Sequence, residues 1–173
     1  MKTFAISVFL LFSSLSFISA DAYPPVGWTS DVLSALSESE DTGKDILLNF
    51  TGSDWCSWCH KLWAEVFGTK EFKEYAEENY ILVYLDFPNG IKQTEEVKKQ
   101  NEVMSSLFGV KGFPTIWLMD STQLPLMKTG YQAGGSSAYI KKLEEGRPDL
   151  DEATKEEYRK LVRQTIRDNI GSW

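Results

Sequence analysis

The hexapeptide Trp55-Cys56-Ser57-Trp58-Cys59-His60 holds both cysteines of the chain and its single histidine. Two sulfurs at this spacing can close a disulfide when the first stands at a helix N-terminus, with the first sulfur exposed and the second one turn further in. The unpaired N–H groups and partial positive charge of such a helix start stabilise a thiolate on Cys56. Lowering a thiol pKa from ~8.5 to ~7 raises its ionised fraction at pH 7 about 16-fold. A Brønsted slope of ~0.5 gives back about 6-fold of that, so the net gain in attack rate is about 3-fold. A depressed pKa therefore governs redox poise and leaving-group quality more than speed.

Cys-x-x-Cys-His is also the attachment sequence of c-type haem, and Met104, Met119 or Met127 offer an axial sulfur. Against that, the motif follows a buried apolar strand and opens the helix of a strand–loop–helix unit, and Met119 itself falls in a strand. A purely structural bridge across so small a loop gains little entropy. Four-ligand zinc sites need more than Cys56, Cys59 and His60. The context favours a redox dithiol with no cofactor and no metal, and His60 reads as a solvated helix residue beside it.

The elements that must position this dithiol follow from the apolar pattern. Ile46, Leu47, Leu48 and Phe50 are nearly continuous, which predicts a buried strand over Asp45–Phe50 leading into a loop and a helix over Cys56–Val66. Upstream, Val32, Leu33 and Leu36 predict a short helix over Asp31–Ser39, capped by Ser30 or Asp31 and broken at Gly43. Downstream come a helix over Lys70–Glu78, a strand over Ile81–Leu85, a turn at Asn89-Gly90 and a helix over Thr94–Phe108. A strand over Thr115–Met119, a hairpin partner over Leu124–Thr129 and a helix capped by Ser136 or Ser137 complete the run. Strands alternating with helices predict an α/β fold, a central mixed β-sheet flanked by helices on both faces.

Residues 147–173 add a C-terminal amphipathic helix, with Tyr158, Leu161, Val162, Thr165, Ile166 and Ile170 as one stripe. Asp151 or Thr154 caps it, and Thr154 with Glu157 matches a capping box. The stripe docks on its own domain or, alternatively, joins a homodimer. At the other end, Lys2 and the apolar run Phe4–Ile18, followed by Ala20 and Ala22, form a secretory signal peptide over residues 1–20, cleaved after 20 or 22. The mature chain is therefore expected in the periplasm or outside the cell, away from the reducing cytosol. At 173 residues and 42% apolar, the chain supports one domain with a real core. A formal charge of −7 argues against a nucleic-acid binder, which needs a basic face.

Phe50 through Cys59, with Gly112-Phe113-Pro114-Thr115 downstream, resembles the thioredoxin superfamily, and within it the exported bacterial thiol:disulfide interchange proteins and periplasmic disulfide reductases. The likeness covers about residues 28–145. It implies a thioredoxin-like domain over 23–146, with Cys56 attacking a substrate disulfide and Cys59 resolving the mixed disulfide. It implies that Trp55 shields the pair, that Ser57, Trp58, Phe113 and a cis-Pro114 meet an extended substrate segment, and that Gly130 lets the substrate approach. The implied partners are disulfide-containing exported proteins and a membrane thiol donor. The implied direction is reduction, since neither Ser57 nor Trp58 carries the charge found in strongly oxidising members; an isomerase, an oxidase or a non-catalytic binding module are the alternatives. The chain departs from the family at Asn49, where a buried acid usually helps the resolving cysteine lose its proton. An amide cannot accept that proton, which leaves Asp54 or a water to do so. Asn49-Phe50-Thr51 is also a glycosylation sequon, which a buried strand leaves unused.

Overall fold

Each strand of the sheet sends alternate side chains to opposite faces, and the two faces collect two separate cores. The computed structural model describes residues 24–173; the signal peptide expected over residues 1–20 lies outside them. Strand β1 (Asp45–Thr51) lies centrally in a four-stranded sheet of order β2-β1-β3-β4. It pairs in parallel with β2 (Tyr80–Asp86) and antiparallel with β3 (Thr115–Met119), which in turn pairs antiparallel with β4 (Pro125–Thr129). The sheet is mixed, as the alternation of elements predicts.

Leu47, Tyr80, Tyr84, Ile116 and Leu118 point to one face. There they meet Leu62 of α2 (Ser57–Leu62), Phe72 of α3 (Lys70–Asn79) and Tyr139 of α5 (Gly135–Glu145). Ile46, Leu48, Phe50, Ile81, Val83, Leu85 and Met119 point to the other. That face is covered by Leu36 of α1 (Val32–Thr42), Met104 of α4 (Glu95–Leu107) and Val162 and Ile166 of α6 (Glu152–Asn169). Burial on both faces is why β1 and β2 read as unbroken apolar runs. Asp31, Thr69 and Thr94 cap α1, α3 and α4 with side-chain oxygens, and Gly43 ends α1 in the left-handed conformation at φ 75°.

Three local expectations are corrected. The helix expected over Cys56–Val66 divides into α2 and a π-helical turn, Trp63–Phe67, closed by the Gly68 amide donating to the Trp63 carbonyl at 2.7 Å. One extra residue in a turn shifts which side chains face inward without disturbing the apolar composition, so periodicity does not register it. Helix α5 begins at Gly135 with Gly134 as its cap, because the two serines expected to cap it are spent elsewhere. Ser136 bonds the Thr69 hydroxyl at 2.6 Å and Ser137 donates to Glu71 at 2.5 Å, tying α5 to the start of α3.

The tail helix is the third. Asp151 is its cap, accepting from the Thr154 amide at 2.9 Å, so the Thr154–Glu157 box does not form. Only a narrow seam faces the domain: Val162 and Ile166 are buried, while Tyr158 and Leu161 of the expected stripe are 46% and 55% exposed. Arg159 and Arg163 fasten the helix to the β3–β4 turn, donating to Thr122 at 2.9 Å and to Gln123 at 2.7 Å. The helix thus docks on its own domain. Ile166→Ala, at a fully buried position, is expected to cost about 2–5 kcal/mol in urea unfolding with the disulfide intact. Leu161→Ser, on the outer side of the same helix, should stay within about 0.5 kcal/mol.

Candidate active site

Cys56 and Cys59 are joined in a disulfide with their Cα atoms 5.2 Å apart. Cys56 is the N-cap of α2 in extended conformation, and its Sγ accepts the Cys59 amide at 3.2 Å. The loop before it is a tight turn in which the Cys56 amide donates to the Gly52 carbonyl at 2.9 Å. Gly52 is required there: a Cβ on it would collide with the Trp55 indole. The sequence expectation of an exposed first sulfur and an inner second one does not hold. Cys56 is 4% and Cys59 7% exposed. The capping contact and the bond to Cys59 turn the Cys56 side chain back over its own helix, so both residues sit covered between aromatic walls.

One wall is Trp55, 45% exposed, whose ring meets Phe113 edge-on at 5.6 Å, with Phe87 packed against Phe113 at 5.2 Å, the two rings tilted by 40°. The Phe113–Pro114 peptide bond is cis. Gly130 lies against this segment so closely that a Cβ would stand 3.0 Å from the Pro114 carbonyl oxygen. The other wall is Trp58, 54% exposed, with its ring centre 5.1 Å from that of Tyr131. Lys61 Nζ lies 5.4 Å from the Trp58 ring and 5.0 Å from the Tyr131 ring, and the Tyr131 hydroxyl donates to Glu65 at 2.7 Å. Ser57 is exposed between the walls. All the site residues expected from sequence therefore gather at one end of the sheet. Tyr131, Lys61, Glu65 and Phe87 join them without having been anticipated. The only available signals were Tyr131 following Gly130 and the i,i+4 spacing of Lys61 and Glu65.

Two loops hold this end together: residues 52–55 before the cysteines and 87–91 after β2. Asp86, fully buried, accepts from the Ser53 amide at 2.8 Å and the Ser53 hydroxyl at 2.5 Å. In return Asp54 on the first loop accepts the Asn89 amide at 2.9 Å and the Gly90 amide at 2.5 Å on the second. The Trp55 indole N–H donates to the Phe87 carbonyl at 2.8 Å. His60, expected to be merely solvated, is exposed but tied: its Nε2 lies 2.7 Å from the Ser53 carbonyl, which has no proton to give, so Nε2 donates. Amide donors from Asn89 and Gly90 hold the Asp54 carboxyl below its ordinary pKa. Burial pushes that of Asp86 up against the pull of Ser53.

Beside Cys59 opens a cleft of about 580 Å³, lined among others by Asn49, Thr51, His60, Trp63 and Tyr84. Asn49 is 3% exposed, and its Oδ1 has no hydrogen-bond partner among the described residues. Among those residues no group of three or more His, Cys, Asp or Glu side chains is placed to hold a metal ion.

The depressed Asp54 pKa fixes a pH dependence. Between its folded value and the ordinary ~3.9 the unfolded chain binds more protons, so this contribution is complete above ~3.9 and disappears as pH falls through the folded value. Acid titration below about pH 4 should therefore loosen loop 87–91 and change Trp55 fluorescence. In Asp54→Asn that acid-dependent change should be absent.

A family model for the thioredoxin-like domain matches residues 33–146. The disulfide bond reductase DsbH of Chlamydia pneumoniae is 37% identical over 109 residues, covering 63% of this chain and 66% of that protein. The thioredoxin-related protein DsbJ of the same organism is 26% identical over 103 residues, covering 60% of this chain and 30% of that protein. The chain thus spans just under two thirds of the first relative and under a third of the second. A solved structure of DsbH oxidoreductase superposes with a TM-score of 0.66 at 34% identity, over 69% of this chain and 82% of that one. With four strands in the order seen here, the Cys56–Cys59 bridge at the start of α2 and a family match over most of the described residues, the chain belongs to the thioredoxin-like family.

Proposed function

We propose that the protein is an exported thiol–disulfide oxidoreductase that reduces protein disulfides. One observation carries this reading: the chain's two cysteines form a disulfide at the cap of a helix, between two aromatic walls and beside a cleft. The similarity to a protein named disulfide bond reductase supports the direction of electron flow.

The chemistry follows from the positions. In the reduced protein the Cys56 thiolate attacks a substrate disulfide; a mixed disulfide forms with one substrate sulfur and the other leaves as a thiolate. Cys59 then loses its proton and attacks Cys56 Sγ, restoring the Cys56–Cys59 bond and releasing the second substrate sulfur. Trp55 and Phe113 on one side, Ser57 and Trp58 on the other, and the backbone at Pro114 and Gly130 contact the substrate segment. The proton of Cys59 passes to solvent through the cleft. Asn49 has no capacity to take it, and the oxygens of Asp54 are engaged by the Asn89 and Gly90 amides. A membrane thiol donor recharges the pair, and disulfide-containing exported proteins are the substrates.

Cys59→Ser should accumulate mixed disulfides on Cys56 when incubated with an oxidised protein substrate, seen as bands that collapse on reduction, and Cys56→Ser should accumulate none. Full insulin-reducing activity in both variants would remove the mechanism. The potential measured against glutathione should lie at roughly −220 to −280 mV; a value near −120 mV would make the protein an oxidase instead.

A further inference from the structure

Reduction places a negative charge on Cys56, so any fixed charge near the turn that carries it enters the redox equilibrium. The charged and titratable side chains around the cysteines are Asp54 on the first loop, His60 and Lys61 on α2, Glu65 on the π turn, Asp86 at the end of β2, Lys92 just past the second loop and Lys111 before Phe113. Lys61 and Glu65 pair at 3.8 Å and cancel. Lys92 and Lys111 are exposed, where solvent and salt screen them. Asp86 differs from all of these: it has no exposed surface, and it is one hydrogen bond from Ser53, within the turn that ends in Cys56. Both its oxygens accept from Ser53, an arrangement that suits a carboxylate.

We propose that Asp86 is a positioning residue with an electrostatic role: its buried negative charge opposes the Cys56 thiolate, disfavours the reduced form and so keeps the pair strongly reducing. A like charge nearby raises the energy of a thiolate, and at low local dielectric that repulsion is screened little. A helix start by itself stabilises the thiolate, and a stabilised reduced form moves a dithiol toward oxidising potentials. Asp54 carries a second charge of the same sign on the same turn, but in solvent, and contributes less. This inference rests on the thiol–disulfide reading above and explains why its direction is reductive.

The test compares a variant that removes the charge with one that removes only the bond. Asp86→Asn keeps the shape and loses the charge; Ser53→Ala loses the hydroxyl donor and keeps the charge. Each is equilibrated with reduced and oxidised glutathione, and the Cys56 ionisation is followed by thiolate absorbance in a Cys59→Ser background. Asp86→Asn should favour the dithiol about three- to tenfold, which is roughly 15–30 mV less negative, and lower the Cys56 pKa. Ser53→Ala should leave both within about twofold. An unshifted equilibrium in Asp86→Asn, or an equal shift in Ser53→Ala, overturns the proposal. Should Asp86→Asn fail to fold, Asp86→Ser, smaller and equally uncharged, decides: a shift in the same direction supports the charge effect, and none overturns it. Failure of the unmutated protein to exchange with glutathione would instead sink the thiol–disulfide reading itself.

Discussion

Where β1 and β2 run out, the backbone ladder that holds them side by side runs out too, and the cysteine pair begins five residues beyond Thr51, the last residue of β1. Side chains take over from the ladder there. Asp86 at the end of β2 grips the loop leaving β1, and Asp54 on that loop grips the one leaving β2. Each carboxylate satisfies amide donors that would otherwise be orphaned at a strand end. The exchange makes two loops into one unit, with Cys56 at its tip and Trp55 fastened across it to Phe87. The proposed opening and closing of the Cys56–Cys59 bridge requires that tip to stay in place.

The scaffold beneath the tip is stiff for an ordinary reason. β1 is buried on both faces, so its position is over-determined by two cores built from alternate side chains. Asn49 marks where this logic yields to chemistry. It occupies a slot on the face shared with Leu47 and the α2 side, next to the cleft at Cys59, and leaves an acceptor without a partner where packing alone would prefer an apolar residue. A charge was absent from that slot and present instead at Asp86, on the neighbouring strand. The two positions lie by different sulfurs: Asn49 borders the cleft at Cys59, and Asp86 stands behind the turn that carries Cys56.

The aromatic walls show a second division of labour. Trp55 and Phe113 come from segments far apart in the chain and meet only because β3 pairs with β1. Trp58 and Tyr131 meet because the π turn carries Glu65 to where the Tyr131 hydroxyl can bond it, with Lys61 between the rings. Large, pinned aromatic surfaces bind a partner at small entropic cost, since two rotatable bonds are all that must be ordered.

How much of this was legible before folding depends on range. The dithiol and its helix start are local: residues three apart at the end of an apolar run reach each other in any chain that turns into a helix there. The strands, caps such as Asp31 and Thr94, and the left-handed Gly43 are local as well. The exposure of Cys56, the π turn, the serines that bind α3 in place of capping α5, and the narrow seam of α6 were misread or missed, because each depends on a neighbour distant in sequence. By itself the sequence determined the chemistry of the sulfurs and the alternation that builds a two-faced sheet, both set by residue type and short periodicities. Only the tertiary structure decided which carboxylates stand behind the reactive turn, since Asp86 and Ser53, 33 positions apart, become partners solely through the parallel register of β1 and β2.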